Sequence, residues 1–233
     1  MDEQALPWPA HFIKLTGRIF EKDLEKLWRN LLLISGSRRR YMIEIRWAQL
    51  EDIQELGLVY SEAYRNAYQG IIPDEYLNQV TPKVREEYFH AVLTQGEERV
   101  AIALFDKKTV GCMVLKACSD DDIKSHSGEI TAIYLLQKYR GIGLGKTLLK
   151  WGIEKLKDFG CTTVAIWVLR ENPNAIRFYE KTGFVRDGAE RLISRGKELI
   201  QIRYLWSKEW SIELTGTIVK FQLSCDYENR IPL

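Results

Sequence analysis

The sequence predicts an α/β fold in which helices flank a mixed central β-sheet. Short apolar, β-branched or alternating runs recur at 42–46, 99–105, 109–117, 129–136, 161–168 and 199–206, with the period of strands. Between them lie segments at about 51–69, 82–94, 143–159 and 172–182 whose apolar residues recur every three or four positions, the period of an amphipathic helix. One strand-like run, 129–136, feeds a glycine-rich turn that opens directly into the helix at 143–159.

The elements follow in order. Residues 1–41 differ from the rest: Pro7-Trp8-Pro9 is irregular, 19–33 carries a helical pattern, and Ser35-Gly36-Ser37-Arg38-Arg39-Arg40 reads as a linker. An extension at 1–41, a domain at 42–206 and a second extension at 207–233 are therefore expected. Met42-Ile43-Glu44-Ile45-Arg46 alternates as a half-buried strand should. The helix at 51–69 presents Ile53, Leu56, Val59, Tyr60 and Ala63 on one face until Gly70-Ile71-Ile72-Pro73 breaks it. Pro73-Asp74-Glu75 then reads as a helix start with Pro in the first position and acids in the first turn. The helix at 82–94 stops at Gly96, and Asp106-Lys107-Lys108 joins 99–105 to 109–117 as a hairpin. Asp120-Asp121-Asp122 lies in a polar loop. Gly160 and Gly183 close the last two helices, and 184–186 and 199–206 read as terminal strands, with a further hairpin near 209–223.

Composition narrows the functional classes. With 233 residues and 45% hydrophobic content the chain can bury a full core, and a net charge of +2 gives no bulk electrostatic case for nucleic acid. Four cysteines without a C-x-x-C pair fit reduced core thiols better than disulfides, and three scattered histidines make no metal centre. No apolar run approaches the roughly 18 residues of a membrane span, and Met-Asp-Glu-Gln lacks the basic head of a secretion signal. A cytoplasmic protein without membrane attachment is expected.

The glycine turn is the chemically informative stretch. Gly141, Gly143 and Gly145 strip side chains from a helix start, where unpaired N–H groups and the positive end of the helix dipole favour a phosphate. An ordinary strand-to-helix turn accounts for the glycines alone equally well. A Walker loop would need Gly at 140, which is Arg, and G-x-G-x-x-G is one residue short. The pattern [RQ]-x-x-G-x-[GA] is met without a gap by Arg140-Gly141-Ile142-Gly143-Leu144-Gly145.

That last pattern resembles the pyrophosphate loop of the GCN5-related N-acetyltransferases. Asn172-Pro173-Asn174-Ala175-Ile176-Arg177-Phe178-Tyr179-Glu180-Lys181-Thr182-Gly183-Phe184 is similar to the family's second signature, in the right order and at the right separation. The resemblance runs from about 42 to 206 and implies the acyl-CoA N-acyltransferase fold. Residues 63–77, with Ala67-Tyr68-Gln69-Gly70-Ile71-Ile72-Pro73-Asp74-Glu75-Tyr76-Leu77, resemble a bacterial polyamine-type subgroup.

The resemblance implies acetyl-CoA as cosubstrate and direct transfer to a primary amine, either a small molecule such as a polyamine or a peptide amine, in a ternary complex. It implies that the backbone of Ile133, Tyr134 and Leu135 pairs with the pantetheine arm. Donors on Gly141, Ile142, Gly143, Leu144, Gly145 and Lys146 would hold the pyrophosphate, Arg140 would open the loop, and Asn172 would touch the coenzyme while also suiting a helix N-cap. Tyr179 is the expected general acid for the departing thiolate, and Glu129 the expected base, although a solvated strand-end carboxylate is an equal reading of the latter. His126 is a weaker base candidate acting through water. Trp167 stands where relatives that act on protein N-termini often carry Glu. Cys112, Cys118 and Cys161 look too buried for an acyl-cysteine route. Relatives often form homodimers. Two rivals are a catalytically weak CoA-binding regulatory or scaffold module of the same fold, and a P-loop nucleotide binder.

Overall fold

The computed structural model describes residues 42–123 and 126–207. The helical segment and linker expected within 1–41, and the hairpin expected near 209–223, lie outside the described residues. The chain runs β1 (Ile43–Trp47), a 3₁₀ turn (Leu50–Asp52), α1 (Ile53–Tyr68), α2 (Asp74–Leu77), α3 (Pro82–Gln95), β2 (Arg99–Phe105) and β3 (Lys108–Ala117). It continues through β4 (Ser127–Leu135), a 3₁₀ turn (Gln137–Tyr139), α4 (Leu144–Asp158), β5 (Thr163–Leu169), α5 (Pro173–Lys181), β6 (Val185–Ser194) and β7 (Glu198–Ser207). One seven-stranded sheet has the order β1-β2-β3-β4-β5-β7-β6. β4 and β5 pair in parallel and every other neighbouring pair is antiparallel, so the mixed sheet expected from the sequence is present.

Each face of the sheet buries its own apolar set. On one side Met113, Leu115, Ile130 and Ile166 pack with Leu144, Leu148, Leu149 and Leu156 of α4 and with Tyr179 of α5. On the other side Ile102, Cys112 and Val114 pack with Leu56 and Tyr60 of α1 and Phe89 of α3. Alternate residues of β3 thus serve opposite cores, as a period of two requires. Local chemistry sets the ends. Thr81 accepts from Val84 N–H at 3.3 Å to start α3, and Gly96 closes it in the left-handed conformation. Asp106 and Lys107 both take positive φ, the requirement of a two-residue hairpin turn.

Two elements differ from expectation. Pro73 precedes α2 as its N-cap, and Asp74 is the first helical residue. β6 extends over ten residues where only 184–186 was expected, because most of its side chains face solvent and its polar sequence gives no alternating signal. Between Arg186 and Glu190 its pairing with β7 is interrupted by a wide bulge containing Gly188.

Opposite that bulge, Arg203 of β7 ties three segments together. Its Nε donates to Asp187 at 2.7 Å, and its Nη1 to Asp120 at 3.0 Å and Asp122 at 2.7 Å. The Arg203 side chain is 5% exposed, those of Asp120 and Asp187 16%, and that of Asp122 64%. The hydrogen bonds to Asp122, followed by those to Asp120 and Asp187, push the Arg203 pKa upward. The bond from Arg203 in turn holds the Asp122 carboxyl below its usual range. Trp167 Nε1 also donates to Asp120, at 3.0 Å. Removing the guanidinium leaves the two largely buried carboxylates of Asp120 and Asp187 without their cationic partner. Arg203→Ala is expected to destabilise the protein by about 3 kcal/mol at neutral pH, the lower end for a broken buried pair, as read from urea unfolding. Because the folded-state pKa of Asp122 is depressed, its contribution exists above the ordinary carboxylate pKa and is lost as pH falls through the folded value. The gap between wild type and Arg203→Ala should therefore narrow below about pH 4.

Candidate active site

The site is built on a parting of two strands. β4 and β5 pair only through Ser127↔Thr163, Gly128↔Val164 and Glu129↔Ala165. Beyond Glu129, β4 remains bonded to β3 alone as far as Leu135, with a bulge that leaves Thr131 without an opposite residue. Leu136 N–H donates to Val110 C=O at 2.9 Å, which fixes the direction of the alternating backbone groups. The N–H and C=O of Tyr134 point toward β3, whereas those of Ile133 and Leu135 point into the gap toward β5. Of the three residues expected to offer backbone groups there, Tyr134 is therefore corrected: its backbone is committed within the sheet.

The glycine turn enters the gap from the end of β4. Gly141 and Gly143 have φ of 78° and 100°, and a Cβ on Gly141 would meet nothing within 4 Å. Gly145 answers a different need, since its Cβ position lies 3.3 Å from Leu135 Cδ1 and 3.6 Å from the Phe178 ring. Ile142 and Leu144 are buried and anchor the turn. Gly143 is the N-cap of α4 and offers no side-chain cap, no acid lies in the first turn, and Lys146 is exposed. The first helical N–H groups are left for an outside acceptor, beside a positive charge. A Ser or Asp cap would add at most about 1 kcal/mol to the helix and would occupy the seat. These residues fit a pyrophosphate. Arg140 itself turns inward: its Nε donates to Leu135 C=O at 2.9 Å and its Nη2 to Ala63 C=O at 3.3 Å. Its guanidinium brackets the turn against β4 and α1.

Asn172 starts α5. Its Oδ1 accepts from Ala175 N–H at 3.1 Å, and its Nδ2 has no partner among the described residues. Tyr179, one turn before the end of α5, is held between Phe178 and Phe184 at ring separations of 5.4 and 5.8 Å. Its hydroxyl has no hydrogen-bond partner among the described residues. Burial, with a smaller contribution from Tyr68, pushes its pKa above the usual phenol value. Tyr179 belongs to the core on the α4 side and Tyr68 packs against the core on the α1 side.

Glu129 is 4% exposed and pairs with Lys116 at 3.3 Å. It is the last β4 residue paired with β5, at the apex of the gap. That rules out the reading of a solvated strand-end carboxylate. His126 is exposed, and its carbonyl accepts from Thr162 N–H at 3.0 Å, at the closed end of the strand pair. Trp167 is a brace, with Arg191 stacked 4.2 Å above its ring. Burial pushes the Cys112 thiol up to about 12 and that of Cys161 upward. Cys118 is only partly buried, contrary to expectation, because it stands in the loop after β3. Among the described residues no group of His, Cys, Asp and Glu could hold a metal, and no helix is long and apolar enough to cross a membrane.

Across the gap, α1 presents Tyr60, Tyr64 and Tyr68 at successive turns. Tyr134 packs against all three, at ring separations of 4.7, 5.8 and 6.4 Å, and the Tyr68 and Tyr134 hydroxyls are 3.3 Å apart. The tip of the β6–β7 hairpin closes the far side: a Cβ on Gly196 would lie 3.1 Å from Tyr76 Cβ, and Arg195 stands 6.0 Å from the Tyr76 ring. Sequence reasoning missed Arg195, since β6 was not recognised there. It also missed Arg85, whose guanidinium lies 4.7 Å from the Tyr60 ring. The spacing of four between the α1 tyrosines was the one available signal for this wall.

Comparison with known proteins agrees with this geometry. The chain is 30% identical over 165 residues to the uncharacterized N-acetyltransferase YuaI of Bacillus subtilis, covering 71% of this chain and 93% of that one. It is 27% identical to the spermidine N(1)-acetyltransferase of Thermoplasma acidophilum, covering 67% and 98%. The crystal structure of the PaiA N-acetyltransferase of Thermoplasma acidophilum in complex with coenzyme A superposes with a TM-score of 0.55 at 25% identity, covering 69% and 98%. YncA of Salmonella typhimurium, solved with acetyl-CoA, shares the fold with a TM-score of 0.53 at 18% identity, covering 71% and 93%. The model of the acetyltransferase (GNAT) family matches residues 59–184, more than half of the chain and the span that carries both the glycine turn and Tyr179. The chain belongs to that family and is an acetyl-CoA-dependent N-acetyltransferase.

Proposed function

We propose that residues 42–206 transfer the acetyl group directly to a primary amine within a ternary complex, with Tyr179 as general acid. The observation that carries this reading is the parting of β4 from β5 after Glu129, which turns the Ile133 backbone away from β3, on a sheet whose α4 face buries Tyr179 with no partner for its hydroxyl among the described residues. Acetyl-CoA supplies the activated thioester. The N–H groups at the start of α4, with Lys146 beside them, bind its pyrophosphate. Ile133 and Leu135 offer backbone partners for the pantetheine arm, and Asn172 has its Nδ2 free to donate to the same arm. Arg140 acts as a positioning residue, because its guanidinium is spent on Leu135 and Ala63.

During transfer the Ile133 N–H, directed into the gap, can hold the developing oxyanion. The Tyr179 hydroxyl is protonated throughout the neutral range, since burial raises its pKa, and can donate to the departing sulfur. Glu129 precedes Ile133 by four residues, about 13 Å along an extended strand. It would take the proton of the attacking ammonium through an intervening water rather than by contact. Lys116 keeps its carboxylate from being a lone buried charge. Cys112 and Cys161, buried and with raised thiol pKa values, are poor nucleophiles for an acyl-cysteine intermediate, which supports direct attack.

Tyr179→Phe should lower kcat about 100-fold while leaving acetyl-CoA affinity nearly unchanged, measured by thiol release and by titration calorimetry. An unaltered kcat removes the acid role. In the wild type the alkaline loss of activity due to this group should appear only above about pH 10, the unperturbed phenol value. Acetyl-CoA at 100 times its Kd should stabilise the protein by about 2.7 kcal/mol, and ATP by none. Gly143→Glu should abolish that stabilisation while far-ultraviolet circular dichroism shows the fold retained. Stabilisation by ATP alone would favour a nucleotide-binding P-loop, and tight acetyl-CoA binding without turnover would favour a regulatory module.

A further inference from the structure

The charge map around the gap bears on the acceptor, and the inference rests on the function proposed above. On the α1 side, Tyr64, Tyr68, Tyr76 and Tyr134 form an aromatic wall in which Tyr64 and Tyr68 meet edge to face at 4.6 Å. Two guanidiniums from separate elements flank it. Arg195 projects from the exposed β6–β7 turn over Tyr76, and its guanidinium donates to the neighbouring Ser194 carbonyl at 3.0 Å. Arg85 of α3 lies 4.7 Å from the Tyr60 ring and 6.0 Å from the Tyr64 ring, and its Nε is buried without a hydrogen-bond partner. Neither has a carboxylate within 4.0 Å among the described residues. Both guanidiniums act electrostatically on Tyr64, which lies between them.

Several of the nearby acids are already engaged. Glu129 is paired with Lys116, and Asp120, Asp122 and Asp187 with Arg203. Asp74 and Glu75 are exposed in the first turn of α2, where the helix N-terminus attracts their charge. A polyamine needs carboxylates to receive its second and third ammonium groups, and the acids beside this wall, Asp74 and Glu75, are exposed on α2 rather than buried against the tyrosines. Cation–π contact with tyrosine faces is worth only about 0.5–1 kcal/mol at exposed sites, too little to offset repulsion from two arginines.

We propose that the acceptor is a carboxylate-bearing monoamine, its amine directed to the gap, its carbon body on Tyr68 and Tyr76, and its carboxylate held by Arg195. This departs from the polyamine class that residues 63–77 and the spermidine-acetylating relative suggest. Arg195 is a specificity-determining residue in this arrangement, and Arg85 adds to the positive potential from behind the aromatic wall.

The test compares initial rates of thiol release from acetyl-CoA by the full chain with spermidine and two matched pairs: hexylamine with 6-aminohexanoate, and phenethylamine with phenylalanine. The pairs place the carboxylate far from and next to the amine. At least one carboxylate-bearing amine should exceed its match, and spermidine, by about ten-fold in kcat/KM, the scale of one charge-assisted hydrogen bond. Arg195→Ala should bring that ratio close to one through KM, and Arg195→Lys should keep part of it. Acetyl-CoA stabilisation of Arg195→Ala checks that the turn variant is folded. Spermidine as the best acceptor, or a ratio unmoved by Arg195→Ala, overturns the assignment and leaves the acetyltransferase site standing. Acetyl-CoA binding with no turnover of any amine overturns both this assignment and direct transfer, and no acetyl-CoA binding overturns the coenzyme site as well.

Discussion

The arrangement depends on one constraint: β4 and β5 are held together over three residue pairs and then separate. Every buried backbone group must find a partner, and a strand in the middle of a sheet normally satisfies this on both sides. Past Glu129, β4 satisfies it on the β3 side only. The gap leaves the backbone of Ile133 and the N–H of Leu135 directed away from β3, while Arg140 occupies the Leu135 carbonyl. The bulge at Thr131 sits where the strands part, and bulges bend the strand that carries them. Closing the sheet there would remove the backbone groups on which the proposed coenzyme groove and oxyanion donor depend.

Electrostatics then divides the gap into unlike halves. At the α4 end, uncapped N–H groups and Lys146 favour phosphate. At the apex Glu129 stands against Lys116, a buried carboxylate kept tolerable by its partner. On the α1 side tyrosines dominate, flanked by Arg85 and Arg195, neither of which has a carboxylate within 4.0 Å among the described residues. Tyr179 lies where these regions meet, in surroundings apolar enough to keep its proton through the neutral range. The Arg203 cluster lies apart from this chemistry, yet it fixes the loop after β3 and the bulge of β6 to β7. The hairpin that carries Arg195 is thereby anchored at its base.

Much of the fold was legible because helices and two-sided strands announce themselves by period. α1, α3, α4 and α5 fall within a residue or two of their expected limits, and Asp106-Lys107 forms the expected turn. β6 was legible only in its first residues, since a mostly solvated edge strand has no apolar alternation to read. Within the site, the glycine turn starts α4, Asn172 caps α5 and Tyr179 is buried in the last turn of α5, positions that local spacing could encode. Tyr134 illustrates the opposite case. Its neighbours were read correctly as a strand, but the side of the strand to which its N–H points depends on pairing with Val110 and Cys112. Arg140 is similar: its place in the motif was visible, whereas its bonds to Leu135 and Ala63 were not.

The sequence by itself determined what local spacing can encode: a glycine turn at 141–145 that leaves the start of α4 uncapped, a capped helix ending beside Tyr179, and alternating layers of helix and strand. These follow from contacts within a few residues along the chain. Only the tertiary structure decided that β4 leaves β5 after Glu129, that Arg140 faces inward, and that Arg195 meets Tyr76 across the cleft. Those outcomes join residues far apart in sequence, and the packing of both cores against one sheet selects them.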